Sequence, residues 1–415
     1  MNFTFEFPVD EDDAKDVKNY YEEKGTKRID GILAKKRDQW VNIPIHVAIC
    51  GNSGTGKSSF INVIRGVKPE DRNGAVLNTG QTTIEPIPYP HPAKHYLKFW
   101  DLPQLNSRAF TKDLYLKNIN VNRYDYFLIF GKEEFTEDDF WIAEQLLGLN
   151  KIVYFVLTHA DITVSGALEH ATKSKRDPRQ IQIKALTAMR DRALKGIKSA
   201  KIKTNYVYLI TTSDVRKFDF PKLAERMIAD LTERKWEAMA LTLNIHAHGV
   251  IQQKRRALQK RVWIIALLSG LADHVSHIYG LSFRVDLEPV IAEVQEYRRQ
   301  FGLDDASIWK TARSLDTTVE SLKRASAFKT NYSQLADGGL LNQYKTLSVY
   351  DVATGINSSF SPILGGLISG GGNASGKTSG PCFGSTYYVL NRLLDMMETD
   401  ALRLIDYVKY MMSEV

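Results

Sequence analysis

The sequence predicts an α/β domain set between two helical segments, and three observations carry that reading. Short β-branched runs alternate with helical stretches between Ile45 and Thr211. The pattern GNSGTGKS stands at 51–58, directly after the first of these runs. Past about Phe220 the runs stop and helical spacing of apolar residues takes over. Strand alternating with helix is the arrangement of a doubly wound, largely parallel sheet. The expected segments are 1–44 (helical), 45–232 (α/β) and 233–415 (helical), the last holding a Gly/Ser-rich stretch at 355–384.

The elements follow in chain order. VKNYYEEKGTKRIDGILAKKRDQW (17–40) is charged, has helical spacing and stops before Pro44. IHVAIC (45–50), YLKFWDL (96–102), YDYFLIF (124–130), KIVYFVLT (151–158) and NYVYLIT (205–211) are near-continuous apolar runs. Such runs are expected of strands buried on both faces. Between them SSFINVIRG (58–66), TEDDFWIAEQLLG (136–148) and the polar stretch 177–200 read as helices. Helical periodicity then fills 221–300, 306–330 and 384–413. The stretch 355–384 reads as a mobile loop or linker, because glycine and serine dominate it.

Composition bounds the function. A chain of 415 residues exceeds one small core. The 43% hydrophobic and 25% charged content is that of a soluble globular protein. The net charge of +7 permits contact with anionic membrane or nucleic acid without requiring it. Cys50 and Cys382 stand far apart with no metal-spaced histidines. That argues against a disulfide scaffold or zinc site and suits a reducing compartment. The opening MNFTFEFPVDEDDAKD has no apolar core, so no secretory leader is expected. The longest apolar run, Val262–Ala272, is about half of what a membrane span needs. A cytoplasmic protein, peripheral to intracellular membranes, is the expectation.

Two stretches match the phosphate-loop pattern, GNSGTGKS at 51–58 and GGNASGKT at 371–378. The loop works through its flanks: a buried strand delivers it, glycines let its N–H groups converge, and a helix starts at the lysine. IHVAIC and SFINVIRG flank the first match. The second follows GGLISG and runs into SGPCFG, where Pro381 and two glycines are expected to forbid a helix. The first loop is therefore taken as the site. Asp101 ends an apolar strand where an aspartate would hold Mg²⁺ through water. In NTGQTTIEP (78–86), Thr82 or Thr83 would complete the metal shell when a γ-phosphate is bound. KIVYFVLT then delivers THAD (158–161), whose Asp161 can accept from guanine N1–H and the 2-amino group, a donor pair that adenine lacks.

These residues resemble the immunity-related, or interferon-inducible, GTPases. GNSGTGKSSFINVIRGV, PIPYPHP, FWDLP, YFVLT, KFDFPKL (217–223), FGLDDASI (301–308) and TYYVLNRLLDMMETDALRLI (386–405) occur in the family's order. YPHP, FDFPKL and FGLDD are the specific ones, since no general GTPase rule requires them. The resemblance spans about 45–410. It implies a Ras-like P-loop G domain whose flanking N- and C-terminal helices form one helical domain. It implies GTP/GDP and Mg²⁺ as ligands, with nucleotide contacts from Gly51, Asn52, Ser53, Gly54, Thr55, Gly56, Lys57, Ser58 and Ser59. Thr158, His159 and Asp161 face the base, and Thr211 and Thr212 stand where the family has a Ser-Asn pair whose backbone touches it. Ser58, Thr83 and Asp101 are the implied metal set; Lys57, Gln81, Thr83 and Gln104 are the implied catalytic set. The family also implies self-association through G domains, action on intracellular membranes and a part in cell-autonomous defence.

Three positions depart from the family. Its DLPG is Asp101-Leu102-Pro103-Gln104 here, and Gln104 has a Cβ that resists positive φ. Gln81 replaces a glutamate linked to hydrolysis and cannot act as an anionic base. His159 replaces the lysine that covers guanine. Binding residues are kept while switch residues change, so slow GTP hydrolysis is expected. The alternative is a GTP-binding scaffold with negligible turnover. An ATP-using nucleic-acid motor rests on QQKRRALQKR (252–261) alone. That stretch is read instead as a solvated helix end, able to rest on acidic lipid headgroups, and no nucleic-acid partner is expected.

Overall fold

The computed structural model describes residues 11–25, 28–77, 85–105, 111–170, 177–204, 206–232, 234–271, 286–330 and 379–413, with the single positions 356, 360 and 364. Contacts divide the chain into two compact units. One is Val41–Ile245; the other joins Met1–Trp40 to His246–Val415.

The stretch expected as one N-terminal helix forms two, α1 (Glu11–Lys24) and α2 (Ile29–Arg37), because Arg28 takes a left-handed φ of 62° between them. Lys36 ties the pair, its Nζ lying 2.7 Å from Asp13 Oδ1 and 2.6 Å from Asp16 Oδ2.

The unit Val41–Ile245 is built on a six-stranded sheet in the order β2-β3-β1-β4-β5-β6. Its strands are β1 (Ile45–Gly51), β2 (Ile87–His91), β3 (Lys94–Asp101), β4 (Tyr126–Gly131), β5 (Ile152–Leu157) and β6 (Tyr208–Leu209). All pairings are parallel except β2 with β3. Every residue of β4 and six of the seven in β1 are buried, which is why both read as unbroken apolar runs. The run expected as a strand over 205–211 pairs only at Tyr208 and Leu209. Sequence reasoning missed β2, since Pro88 and Pro90 argue against a strand; an edge strand tolerates both, as their missing N–H groups can face the open side.

Helices α3 (Lys57–Arg65), α4 (Lys112–Ile119), α5 (Glu137–Gly148), α6 (Ala160–His170), α7 (Pro178–Ser199), α8 (Phe220–Ala229) and α9 (Lys235–Thr242) complete this unit. α9 belongs here, beyond the boundary expected at 232/233. Lys235 Nζ reaches Asp125 at 2.6 Å, and Thr242 Oγ1 lies 2.6 Å from Tyr96 Oη. The FDFPKL motif has a physical role: buried Asp219 accepts from the Leu209 amide at 3.1 Å and pairs with Arg190, fastening β6 to α7.

The other unit continues with α10 (His248–Gln259), α11 (Val262–Leu271), α12 (Glu288–Gln300), α13 (Asp305–Ser314), α14 (Val319–Ala325) and α15 (Ser379–Ser413). The FGLDD motif ends α12 and starts α13: Asp304 is the N-cap, accepting from Ser307 N at 3.1 Å. Residues Val262–Leu267 of α11 are wholly buried, so that apolar run is core. No helix among the described residues is long and apolar enough to cross a membrane.

Three expectations for this unit are corrected. First, QQKRRALQKR is not solvated as a whole: of its five cations Arg256 alone is exposed. Lys254 is buried and donates to Gln300 O at 3.0 Å; Arg255 pairs with Asp395 at 2.6 Å and Glu398 at 3.1 Å; Arg261 pairs with Glu293 at 2.7 Å. Second, Ile356, Phe360 and Leu364, inside the expected mobile loop, are helical and buried. The Phe360 ring packs 5.1 Å from Phe383 and 5.0 Å from Tyr387. Third, α15 begins at Ser379 rather than 384, with Pro381 in its first turn. A proline there gives up only an N–H that has no intrahelical partner.

Candidate functional site

The site lies at the C-terminal ends of β1 and β3, where the chain leaves the sheet beside β4. β1 has β3 on one side and β4 on the other, the crevice where ligands bind in open α/β sheets. Gly51 ends β1 with φ 132°, and a Cβ there would sit 2.3 Å from Phe130 O, so no side chain fits. Gly56 caps α3 with φ 82°, and a Cβ would press to 3.3 Å from Thr158 Cγ2. Lys57, Ser58 and Ser59 open the helix, and their first N–H groups have no intrahelical acceptor. Ser53 and Gly54 are exposed at the loop tip, while Thr55 is buried and donates to Asn52 O at 2.8 Å.

Lys57 folds back across the loop, donating to Gly51 O at 2.8 Å and Asn52 O at 3.0 Å. Burial pushes its pKa down, opposed by the neighbouring carboxylates of Asp101 and Asp139. Asp101 is buried at the end of β3, in register with Ile49, two residues before Gly51. A serine hydroxyl at the helix start and a carboxylate on the adjacent strand are hard oxygen ligands of the kind Mg²⁺ takes when phosphate and water complete its shell. Gln81 and Thr83, with Thr82, lie outside the described residues.

Gln104, in place of the family's glycine, makes a contact that glycine cannot. Its Nε2 donates to Asn52 Oδ1 at 2.7 Å, tying the turn after β3 to the phosphate loop. Asn52 Nδ2 in turn reaches Thr136 Oγ1 at 3.4 Å. Thr136 and the buried Asp139 form a capping box at the start of α5. Burial raises the Asp139 pKa, and hydrogen bonds from the Thr136 amide and hydroxyl oppose the rise. Sequence reasoning missed Thr136 and Asp139, although TEDD carries the capping-box spacing.

On the base side, Thr158 Oγ1 donates to Thr55 O at 2.9 Å, bracing the phosphate loop against the end of β5. That hydroxyl also lies 2.7 Å from His159 Nδ1. His159 takes a left-handed φ of 60°, and burial lowers its pKa. Asp161 stands in the first turn of α6 and accepts from Ser213 Oγ at 3.2 Å. Thr211 is buried, its Oγ1 2.8 Å from Ser213 Oγ; its side chain thus braces Ser213, with Thr212 half-buried between them. Ser213, next after the Thr-Thr pair, is the partner of Asp161 that sequence reasoning missed.

The second phosphate-loop match, 371–378, lies outside the described residues. The six-stranded sheet takes all its strands from residues 45–209. That match therefore has a helix after it, α15, but no strand of this sheet before it.

Comparison with known proteins adds to this geometry. The family profile of the interferon-inducible GTPases (IIGP) matches residues 10–404. T-cell-specific guanine nucleotide triphosphate-binding protein 2 of Mus musculus is 27% identical over 398 residues, covering 96% of this chain and 90% of its own. Interferon-inducible GTPase 5 of Rattus norvegicus is 30% identical over 362 residues, covering 86% and 74%. Interferon-inducible GTPase 1 of Mus musculus is 31% identical over 282 residues, covering 67% and 66%.

Proposed function

The chain belongs to the interferon-inducible GTPase family, and on that premise we propose that it binds GTP and GDP at the loop 51–59 and hydrolyses GTP slowly. The observation that carries the reading is the convergence of a glycine-permitted phosphate loop, a half-buried lysine folded over it and a buried strand-end aspartate. Loop N–H groups and Lys57 hold the phosphates, and Asp161, oriented by Ser213, accepts from the guanine edge. Ser58 and Asp101 would hold Mg²⁺, with Thr83 joining them; the ion supplies charge neutralisation on the transferring phosphoryl group. His159 lies beside the base in the place of a lysine stem.

GTP-dependent self-association through G domains, and peripheral action on anionic intracellular membranes in cell-autonomous defence, complete the proposal. A scaffold with negligible turnover is the second reading. The Gln104–Asn52 hydrogen bond favours it, because it restrains the turn that must sense the γ-phosphate.

Titration with fluorescent GDP, GTP and ATP, with hydrolysis followed at several protein concentrations, tests the reading; tight ATP binding would remove the guanine assignment. Asp161→Asn is expected to weaken GDP by about 2–3 kcal/mol, roughly 30- to 150-fold, through loss of a charged acceptor. The same variant should gain affinity for xanthine nucleotides, whose 2-oxo group needs a donor. Unchanged guanine preference in this variant would place base recognition elsewhere.

A further inference from the structure

The positive charge of this chain is concentrated in one place. Residues 178–204 hold eight Lys and Arg against the single acid Asp191, a surplus equal to the +7 of the whole chain, so the other residues balance at 47 of each sign. These residues are α7 and its exit. The buried face of α7 carries Met189, Ala193 and Ile197. The cations lie outward: Arg179, Lys184, Arg192, Lys195, Lys198, Lys201 and Lys203 are exposed, while Arg190 is half-buried against Asp219. Helix stability does not account for this set. The last-turn Lys198 complements the helix dipole, but Arg179 sits in the first turn, where positive charge is unfavourable, and Lys184 lies beyond the dipole's reach.

We propose that this face of α7 is the surface by which the protein rests on anionic lipid headgroups. The proposal deepens the membrane reading above and rests on it. Three features select a lipid surface over a nucleic acid. The exposed cations are five lysines and two arginines; five of the seven are strung along a helix of 22 residues, about 33 Å at 1.5 Å per residue, and Lys201 and Lys203 follow its end, which suits a diffuse sheet of charge. The segment holds no aromatic residue, so there is no platform on which bases could stack. Ile183, 65% exposed among the cations, is an apolar side chain that can seat between headgroups. The alternative cationic stretch, 252–261, has Lys254, Arg255 and Arg261 engaged within its own unit and exposes only Arg256.

Flotation with phosphatidylserine/phosphatidylcholine vesicles tests it on the full chain. The parent is expected to float with these vesicles, to ignore pure phosphatidylcholine, and to release as salt rises, since exposed charges are screened over about 8 Å at physiological ionic strength. Each cation near such a surface is worth roughly fivefold, corresponding to about 1 kcal/mol. Lys184→Glu/Lys195→Glu/Lys198→Glu should therefore lose about a hundredfold or more in partitioning, and the milder triple change to glutamine should lose less. Lys310→Glu/Arg313→Glu/Arg324→Glu alters net charge equally on exposed sites of α13 and α14 and should retain binding. Unchanged GDP affinity in the α7 set, and an unchanged circular-dichroism melting transition in both sets, report that they are folded. If the parent binds anionic vesicles and the α7 variants bind equally well, or if the control set loses as much, the α7 assignment falls while the membrane reading stands. A parent that binds no anionic vesicle removes both. Duplex DNA captured through the α7 lysines, without vesicle binding, would overturn the choice of partner.

Discussion

Lys57→Ala is expected to reduce GDP and GTP affinity by about 2–5 kcal/mol, some 30- to several-thousand-fold, the cost of removing one partner of a desolvated charge pair. Lys377→Ala, in the other phosphate-loop match, is expected to change neither by more than about twofold, within the usual effect of a surface substitution. The contrast follows from delivery. Lys57 leaves a loop fixed at one end by β1, at the other by α3, and from the side by Thr158. The helix after residue 378 gives the second match one flank, so a following helix alone does not decide between the two. The strand does: β1 pairs with β3 and β4 and presents Gly51 at the sheet's crevice. Isothermal titration of both variants settles the choice, and equal loss in the two would show that both loops bind nucleotide.

What was legible in the sequence was what local periodicity encodes. β1, the phosphate loop and α3 follow one another without a gap, and each has its own residue signature. The same holds for β4 and β5, whose apolar runs match their burial. Local spacing fails where a partner lies far along the chain. Arg255 meets Asp395 across 140 residues, so the stretch 252–261 looks solvated until α15 is packed against α10. Gln104 meets Asn52 across 52 residues, and nothing in DLPQ announces that contact. Composition misled at 355–384, where glycine and serine masked the four-residue spacing of Ile356, Phe360 and Leu364. Proline misled twice, at β2 and at the start of α15, because its penalty vanishes on an edge strand and in a first helical turn.

The switch substitutions are expected to limit catalysis, and the structure gives one of them a mechanism. Gln104 has ordinary backbone, for it is not among the described non-glycine residues with positive φ, and its side chain is spent on Asn52. The turn after β3 is held as well by Leu102 N to Ile49 O at 3.0 Å and by buried Leu105. A γ-phosphate sensed by this turn would therefore compete with the Gln104–Asn52 bond, while the phosphate contacts proposed for Lys57 and Ser58 would be untouched. Gln104→Gly removes both the bond and the Cβ; Gln104→Ala removes the bond and keeps the Cβ. Gln81→Glu returns a carboxylate where the attacking water would be sensed. A well-placed transition-state donor or base is worth roughly 10²–10³ in rate, about 3–4 kcal/mol. Slow hydrolysis is thus expected of the unmutated protein, with a gain of about that size in the Gln104→Gly/Gln81→Glu double variant and GDP affinity nearly constant. Phosphate-release kinetics at several protein concentrations measure it, since self-association would raise the rate per molecule. Equal gains for Ala and Gly at position 104 would assign the brake to the hydrogen bond; a gain for Gly alone would assign it to the backbone. If the unmutated protein turns over briskly and none of the changes alters its rate, the departures are neutral and the scaffold reading is lost with them.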